Sequence, residues 1–238
     1  MKMVKIISAL KQRFLKSIYK KRKNTSYVLM LHEVTDSDKA KHPEISIEKN
    51  TFEKMVQEIQ AKGYTFDHIR NLFGFSDRCM FVTFDDIFVN VITNALPILE
   101  KYNIPFTVFI TSEYIDQPGY ISDEQLKQLI SHPLCTIGFH AQKHVLMREH
   151  KNEEIAQIAN AHLFEKKYGI HCDYFAYPYG SIYACPKRAI KEVAKLGYSA
   201  AFGTIDSAVN RKTVLKNLYY IPRICVSDRT ANKIMGAL

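Results

Sequence analysis

The fold is decided by Phe81-Val-Thr-Phe-Asp-Asp86. Four residues of strand character run into two adjacent carboxylates, as a buried β-strand does when it presents acids at its carboxyl edge. Parallel α/β sheets and barrels carry their chemistry at that edge. Successive side chains on a strand point to opposite faces, so Asp85 and Asp86 are expected to play different roles. The competing reading is a helix cap, with Asp-Asp opening a helix near Ile87.

The flanking sequence repeats the pattern. Residues 27–34 (YVLMLHEV) form a near-continuous apolar run ending in His32-Glu33, as a strand buried on both faces would. Residues 51–62 place Phe52, Met55, Val56 and Ile59 on one helical face, and Gly63 ends the helix. Residues 64–69 read as a short strand, 90–102 as a helix and 106–110 as a strand. Ser122 caps a helix to Ser131, 134–139 is a strand, and 151–168 reads as one long helix closed by Gly169. A strand over 174–177 is followed by a helix from Pro186 to Leu196, then strands at 199–203 and 219–224, and Ser227 caps a terminal helix. Alternating strands and helices predict parallel βαβ units in one α/β domain over residues 26–238. About seven strands fit a distorted (β/α) barrel better than an open sheet.

Residues 1–25 stand apart. They hold nine Lys and Arg and no acid; of the 33 basic residues, the other 24 face 24 Asp and Glu. The domain is therefore neutral, and the charge does not predict nucleic-acid binding. Ile6, Ile7, Leu10, Phe14, Leu15 and Ile18 recur near the helical period, which predicts a basic amphipathic helix. Such a helix either makes peripheral contact with an anionic membrane or packs on the domain. No apolar run is long enough for a membrane span, and the run at 6–10 is short for a secretion signal. Five scattered cysteines without a CxxC point to a reducing compartment. The expected location is cytoplasmic, at the inner face of the membrane.

Four strand ends carry unusual chemistry: His32, Asp85-Asp86, His140 to His144, and Tyr177-Pro178-Tyr179-Gly180. A fifth, Ile221-Pro222-Arg223, places a charge in an apolar run. His140 and His144, four apart, can turn both imidazoles to one point. Two histidines and a carboxylate, with positions left open, make a catalytic site of the zinc type.

In order and spacing, Thr83-Phe84-Asp85-Asp86, His140-x-x-x-His144 and Phe175-Ala-Tyr-Pro-Tyr-Gly180 resemble the motifs of the polysaccharide deacetylases, the NodB-homology group. Leu31-His32 resembles the opening strand of many members, and Ile221-Pro222-Arg223-Ile224 a late motif. The resemblance covers roughly residues 27–226. It implies a distorted (β/α) barrel that removes acetyl from an N-acetylhexosamine in a surface glycan or its lipid- or nucleotide-linked precursor. One divalent metal is implied, zinc before cobalt, nickel or manganese, held by Asp86, His140 and His144. Asp85 would be the base and the Tyr179 backbone N–H an oxyanion donor, with Tyr177, Pro178 and Gly180 touching substrate. Three positions depart from the pattern. Ile87 stands where Gly is common, and Ala176 where an Arg orients the base; Arg223 is the expected substitute. No His follows His171, so the general acid falls to His32. An O-deacetylase on the same barrel and a non-catalytic glycan-binding relative are the alternatives.

Overall fold

A computed structural model describes residues 25–36 and 42–238. The expected basic helix over residues 1–25 lies outside the described residues, apart from Thr25. The strands of the main sheet run parallel. β1 (Tyr27–Leu31) lies beside β5 (Cys79–Asp85), followed in chain order by β6 (Phe106–Ile110), β7 (Cys135–Phe139), β8 (Tyr174–Ala176) and β9 (Ala200–Phe202). β10 (Ile224–Cys225) flanks β1 on its other side. β9 reaches the segment leading into β10 through a Phe202–Ile221 bridge and reciprocal backbone bonds between Gly203, Ile221 and Ala201. The sheet thus curls into a barrel whose last side is held by few hydrogen bonds, as the sequence led us to expect. Short β4 (Thr65–Phe66) pairs with the start of β5.

Side-chain alternation sorts two cores. Met80, Val82 and Phe84 of β5 face outward and join the large cluster beneath the helices, with Phe52, Met55, Val56 and Ile59 of α1 (Lys49–Ala61). Phe81 faces inward and packs with Val28, Phe109, Ala176, Phe202 and Ile221. Inside the barrel Gly138 has no alternative: an added Cβ would come within 2.5 Å of the Phe109 ring.

Several elements differ from expectation. The apolar run 27–34 divides at His32; β2 (Glu33–Thr35) turns away to pair with β3 (Ser46–Glu48), inside a stretch read as loop. The helix predicted at 90–102 begins as a π-helical turn, Val91–Ala95, before α2 (Leu96–Lys101), while α3 (Asp123–Ser131) has its Ser122 capping box. The helix expected over 151–168 is two, α4 (Asn152–Ile158) and α5 (His162–Tyr168). Between them Ile158, Ala159 and Asn160 give their carbonyls to Gln142 N–H, Tyr198 O–H and Gln142 Nε2, while Asn160 Oδ1 accepts from His162 N–H. Tertiary donors thus replace one turn of helix. α6 (Lys187–Ala194) is as expected, α7 (Arg211–Lys216) was not read from the sequence, and α8 (Asp228–Ala237) closes the chain. Among the described residues no helix is long and apolar enough to cross a membrane.

Candidate active site

Register brings the strand ends level. Leu31 pairs with Phe84, Asp85 with Phe109, Ile110 with Phe139 and Phe139 with Phe175. His32, Asp85, Thr111, His140 and Ala176 therefore surround one rim of the barrel.

Asp85 points inward and is 2% exposed. Fully buried Arg223 grips it with two parallel bonds, Nη1 to Oδ1 and Nη2 to Oδ2, both 2.6 Å. Its Nε donates to Gly203 O and Nη1 also to Thr83 Oγ1, each at 3.2 Å. Burial is the largest influence and raises the Asp85 pKa, but Arg223, His140 and His32 together outweigh it and hold the carboxyl at about 2. The pairing expected from Ala176 and Arg223 is present, with Ala176 in the inner core and Arg223 beside the carboxylate it was expected to orient.

Asp86 turns the other way because the backbone leaves the strand there. Its φ is +62°, and Ile87 follows at +57°. Two consecutive non-glycine residues in the left-handed region carry strain, more so for a β-branched one. This is why Gly suits position 87; Ile87 accepts the conformation while burying its side chain, 1% exposed, in the core. Ala141 and Tyr179, at φ +75° and +59°, place two more left-handed turns at the same rim.

Asp86 Oδ1 lies 3.6 Å from His140 Nε2 and 3.6 Å from His144 Nε2. His140 Nδ1 donates to Ala176 O at 2.8 Å, which leaves Nε2 a lone pair. One donor atom from each of Asp86, His140 and His144 lies within 4.8 Å of the others. Ligands about 2.1 Å from an ion at tetrahedral angles stand about 3.4 Å apart, so a divalent metal fits this set. Burial lowers the His140 pKa to about 3 and also lowers that of His144, keeping both imidazoles neutral as ligands must be. Burial, then neighbouring Asp85, raises Asp86 to about 7, a charge cost that a bound cation relieves.

His32 follows β1 directly. Its Nδ1 is enclosed without a hydrogen-bond partner, and burial lowers the ring to about 4 despite Asp85. The resting imidazole is therefore neutral. Tyr179 is 55% exposed, with its ring edge-on to His144 at 4.5 Å between centroids.

The rest of the third motif is buried. Tyr177 is 1% exposed, donates its hydroxyl to Tyr219 O, and packs on Phe175 and Tyr220. Pro178 and Gly180 are buried as well. Gly180, at φ +51°, leaves no room for a Cβ, which would lie 2.2 Å from Thr204 Oγ1. These three form the turn that lifts Tyr179 out, and the three residues expected to touch substrate are themselves buried. Thr111, Glu113 and Tyr114 touch the same site and were not singled out from the sequence. Their signal was the strand-end rule, since Thr111 directly follows the apolar run FTVFI.

The polysaccharide deacetylase family matches residues 74–201. The chain belongs to the polysaccharide deacetylase family. A Bacillus subtilis (strain 168) relative, YxkH, is 25% identical over 166 residues, which are 68% of this chain and 56% of that protein. This deacetylase-family chain thus spans little more than half of that relative's length. A poly-beta-1,6-N-acetyl-D-glucosamine N-deacetylase of Staphylococcus aureus (strain N315) is 28% identical over 204 residues, 77% of this chain and 68% of the relative. Among solved structures, IcaB from Ammonifex degensii superposes with a TM-score of 0.74 at 20% identity, covering 90% of this chain and 97% of that one. That likeness establishes the deacetylase fold.

Proposed function

We propose that this deacetylase-family chain hydrolyses the acetamide of an N-acetylhexosamine in a glycan, releasing acetate and a free amine. The observation that carries the reading is the division of labour at one barrel rim. Asp85 is locked to Arg223, while Asp86 turns towards His140 and His144. The name of the Staphylococcus aureus relatives supports a polymer of N-acetylglucosamine as the substrate class.

Asp86, His140 and His144 would hold the metal, with zinc the first candidate. Bound there, a divalent ion supplies Lewis-acid polarisation of the acetyl carbonyl and lowers the pKa of water towards about 7. The protein's own groups do the rest. Asp85 takes the proton of the attacking water, and Arg223 keeps its carboxylate ionised and aimed. The Tyr179 N–H donates to the oxyanion as the carbonyl becomes tetrahedral. The sugar nitrogen must gain a proton to leave. His32, which follows β1 directly and is neutral at rest, would act as the acid, passing to the nitrogen the proton that Asp85 took up. The exposed Tyr179 ring offers a face for a sugar.

The test is acetate release from N-acetylglucosamine oligomers with Zn²⁺ or Co²⁺ and with chelator. Activity that survives complete chelation refutes the metal, and release from O-acetylated sugars alone refutes the amide. We further propose work at the inner face of a membrane on a lipid- or nucleotide-linked precursor, supported by the nine basic residues of 1–25. Recovery in the soluble fraction at low salt would contradict that placement.

A further inference from the structure

We propose that residues 111–114, the segment leaving β6, are the positioning layer of the metal site, with Thr111 and Glu113 as positioning residues. The inference rests on the reading of Asp86, His140 and His144 as ligands. This short stretch touches all three.

Thr111 is fully buried, and its hydroxyl faces two acceptors, Asp86 Oδ1 at 3.5 Å and His140 O at 3.2 Å. One side chain thereby ties the carboxylate ligand to the backbone of an imidazole ligand. Glu113 Oε1 accepts the backbone N–H of His144 at 3.0 Å. Around it the two segments are laced together by Ser112 N–H to Ala141 O (3.2 Å) and Glu113 N–H to Gln142 O (3.1 Å).

Tyr114 adds a packed wall. Its ring lies nearly parallel to His144 (24°, centroids 6.2 Å apart), while Tyr179 meets that same imidazole edge-on. Behind Tyr114 stack Tyr120 at 4.4 Å and then Phe88 at 4.8 Å. Phe88 stands two residues after Asp86 and is bridged to Tyr120 through the backbone. A column of rings therefore joins the loop that carries Asp86 to the imidazole of His144. The loops bearing these two ligands come from different strands, and both include left-handed backbone, at Asp86, Ile87 and Ala141. Strained ligand loops keep their geometry only when their surroundings over-determine it.

Metal affinity tests this without relying on turnover. The purified chain of 238 residues, stripped of metal, is titrated with Zn²⁺ against a chromophoric chelator of known affinity, with circular dichroism to verify folding. Glu113→Ala and Thr111→Val are expected to weaken binding about 10–100-fold, as loss of outer-layer partners does. Glu113→Gln and Thr111→Ser, which keep the acceptor and the hydroxyl, should stay with the wild type. Glu113 is exposed, so its variants remain informative if Thr111→Val does not fold. Wild-type affinity in the Ala and Val variants overturns the proposal, as does equal weakening in the conservative pair. A wild-type chain that binds no Zn²⁺ overturns the ligand assignment itself, and the positioning layer with it; binding that is insensitive to residues 111–114 overturns the layer alone.

Discussion

At the residue scale the two adjacent acids part because the strand ends between them. Asp85 keeps strand geometry and faces Arg223, whereas Asp86 adopts a left-handed φ and faces the histidines. Alternation alone foretold that they would differ. The partners were legible through the resemblance, because Asp85-Asp86, His140-x-x-x-His144 and Ile221-Pro222-Arg223 stand in the order and spacing of a known family's motifs; an HxxxH alone is a weak signal. What could not be read was the fate of Tyr177, whose hydroxyl found a backbone carbonyl inside the core. Asp85→Asn should retain metal and lose about 10²–10⁴-fold in kcat, read from single-turnover acetate release. Arg223→Gln leaves Asp85 charged and unpaired in the barrel. It should cost about 3–5 kcal/mol in denaturant unfolding, and loss of both partners in the double variant with Asp85→Asn should cost less than the sum.

At the scale of elements, strands were easier to find than their limits. Buried parallel strands are continuous apolar runs, so β1, β5, β6 and β7 announce themselves. β2 and β3 do not, being three residues each and set by pairing with one another. Nor could the interruption of 151–168 be seen, because the groups that end α4 come from Gln142 and Tyr198, remote in sequence. The barrel interior makes a sharper prediction. Gly138→Ala drives a methyl into Phe109 and towards Tyr174 O, and should destabilise by about 1–3 kcal/mol. Adding Phe109→Leu should recover part of that loss in thermal unfolding; no recovery would place the strain on the backbone side.

For the whole molecule, burying Asp86 beside Asp85 is a source of instability that a cation bound at the proposed metal site would relieve. Asp86 titrates near 7 in the fold against the ordinary carboxylate value of 3.8 when unfolded. Between these values the folded chain holds a proton that the unfolded chain has released. Its contribution therefore falls as pH rises from about 4 to about 7, by at most about 4 kcal/mol. Chelated Asp86→Asn should accordingly unfold at a higher temperature than chelated wild type at pH 8, and the difference should vanish below about pH 4. Adding Zn²⁺ at a hundredfold excess over its Kd should stabilise the wild type by about 2.7 kcal/mol and leave that variant nearly unmoved.

Amide hydrolysis at this one rim is the activity on which every proposed role depends. The direct measurement is the paired appearance of acetate and free amine from an N-acetylglucosamine oligomer, with Zn²⁺-loaded wild type, chelated wild type and His140→Ala side by side. Equimolar acetate and amine from the loaded enzyme, abolished in the other two, is the predicted result. Release that persists in His140→Ala, or acetate without amine, would contradict it.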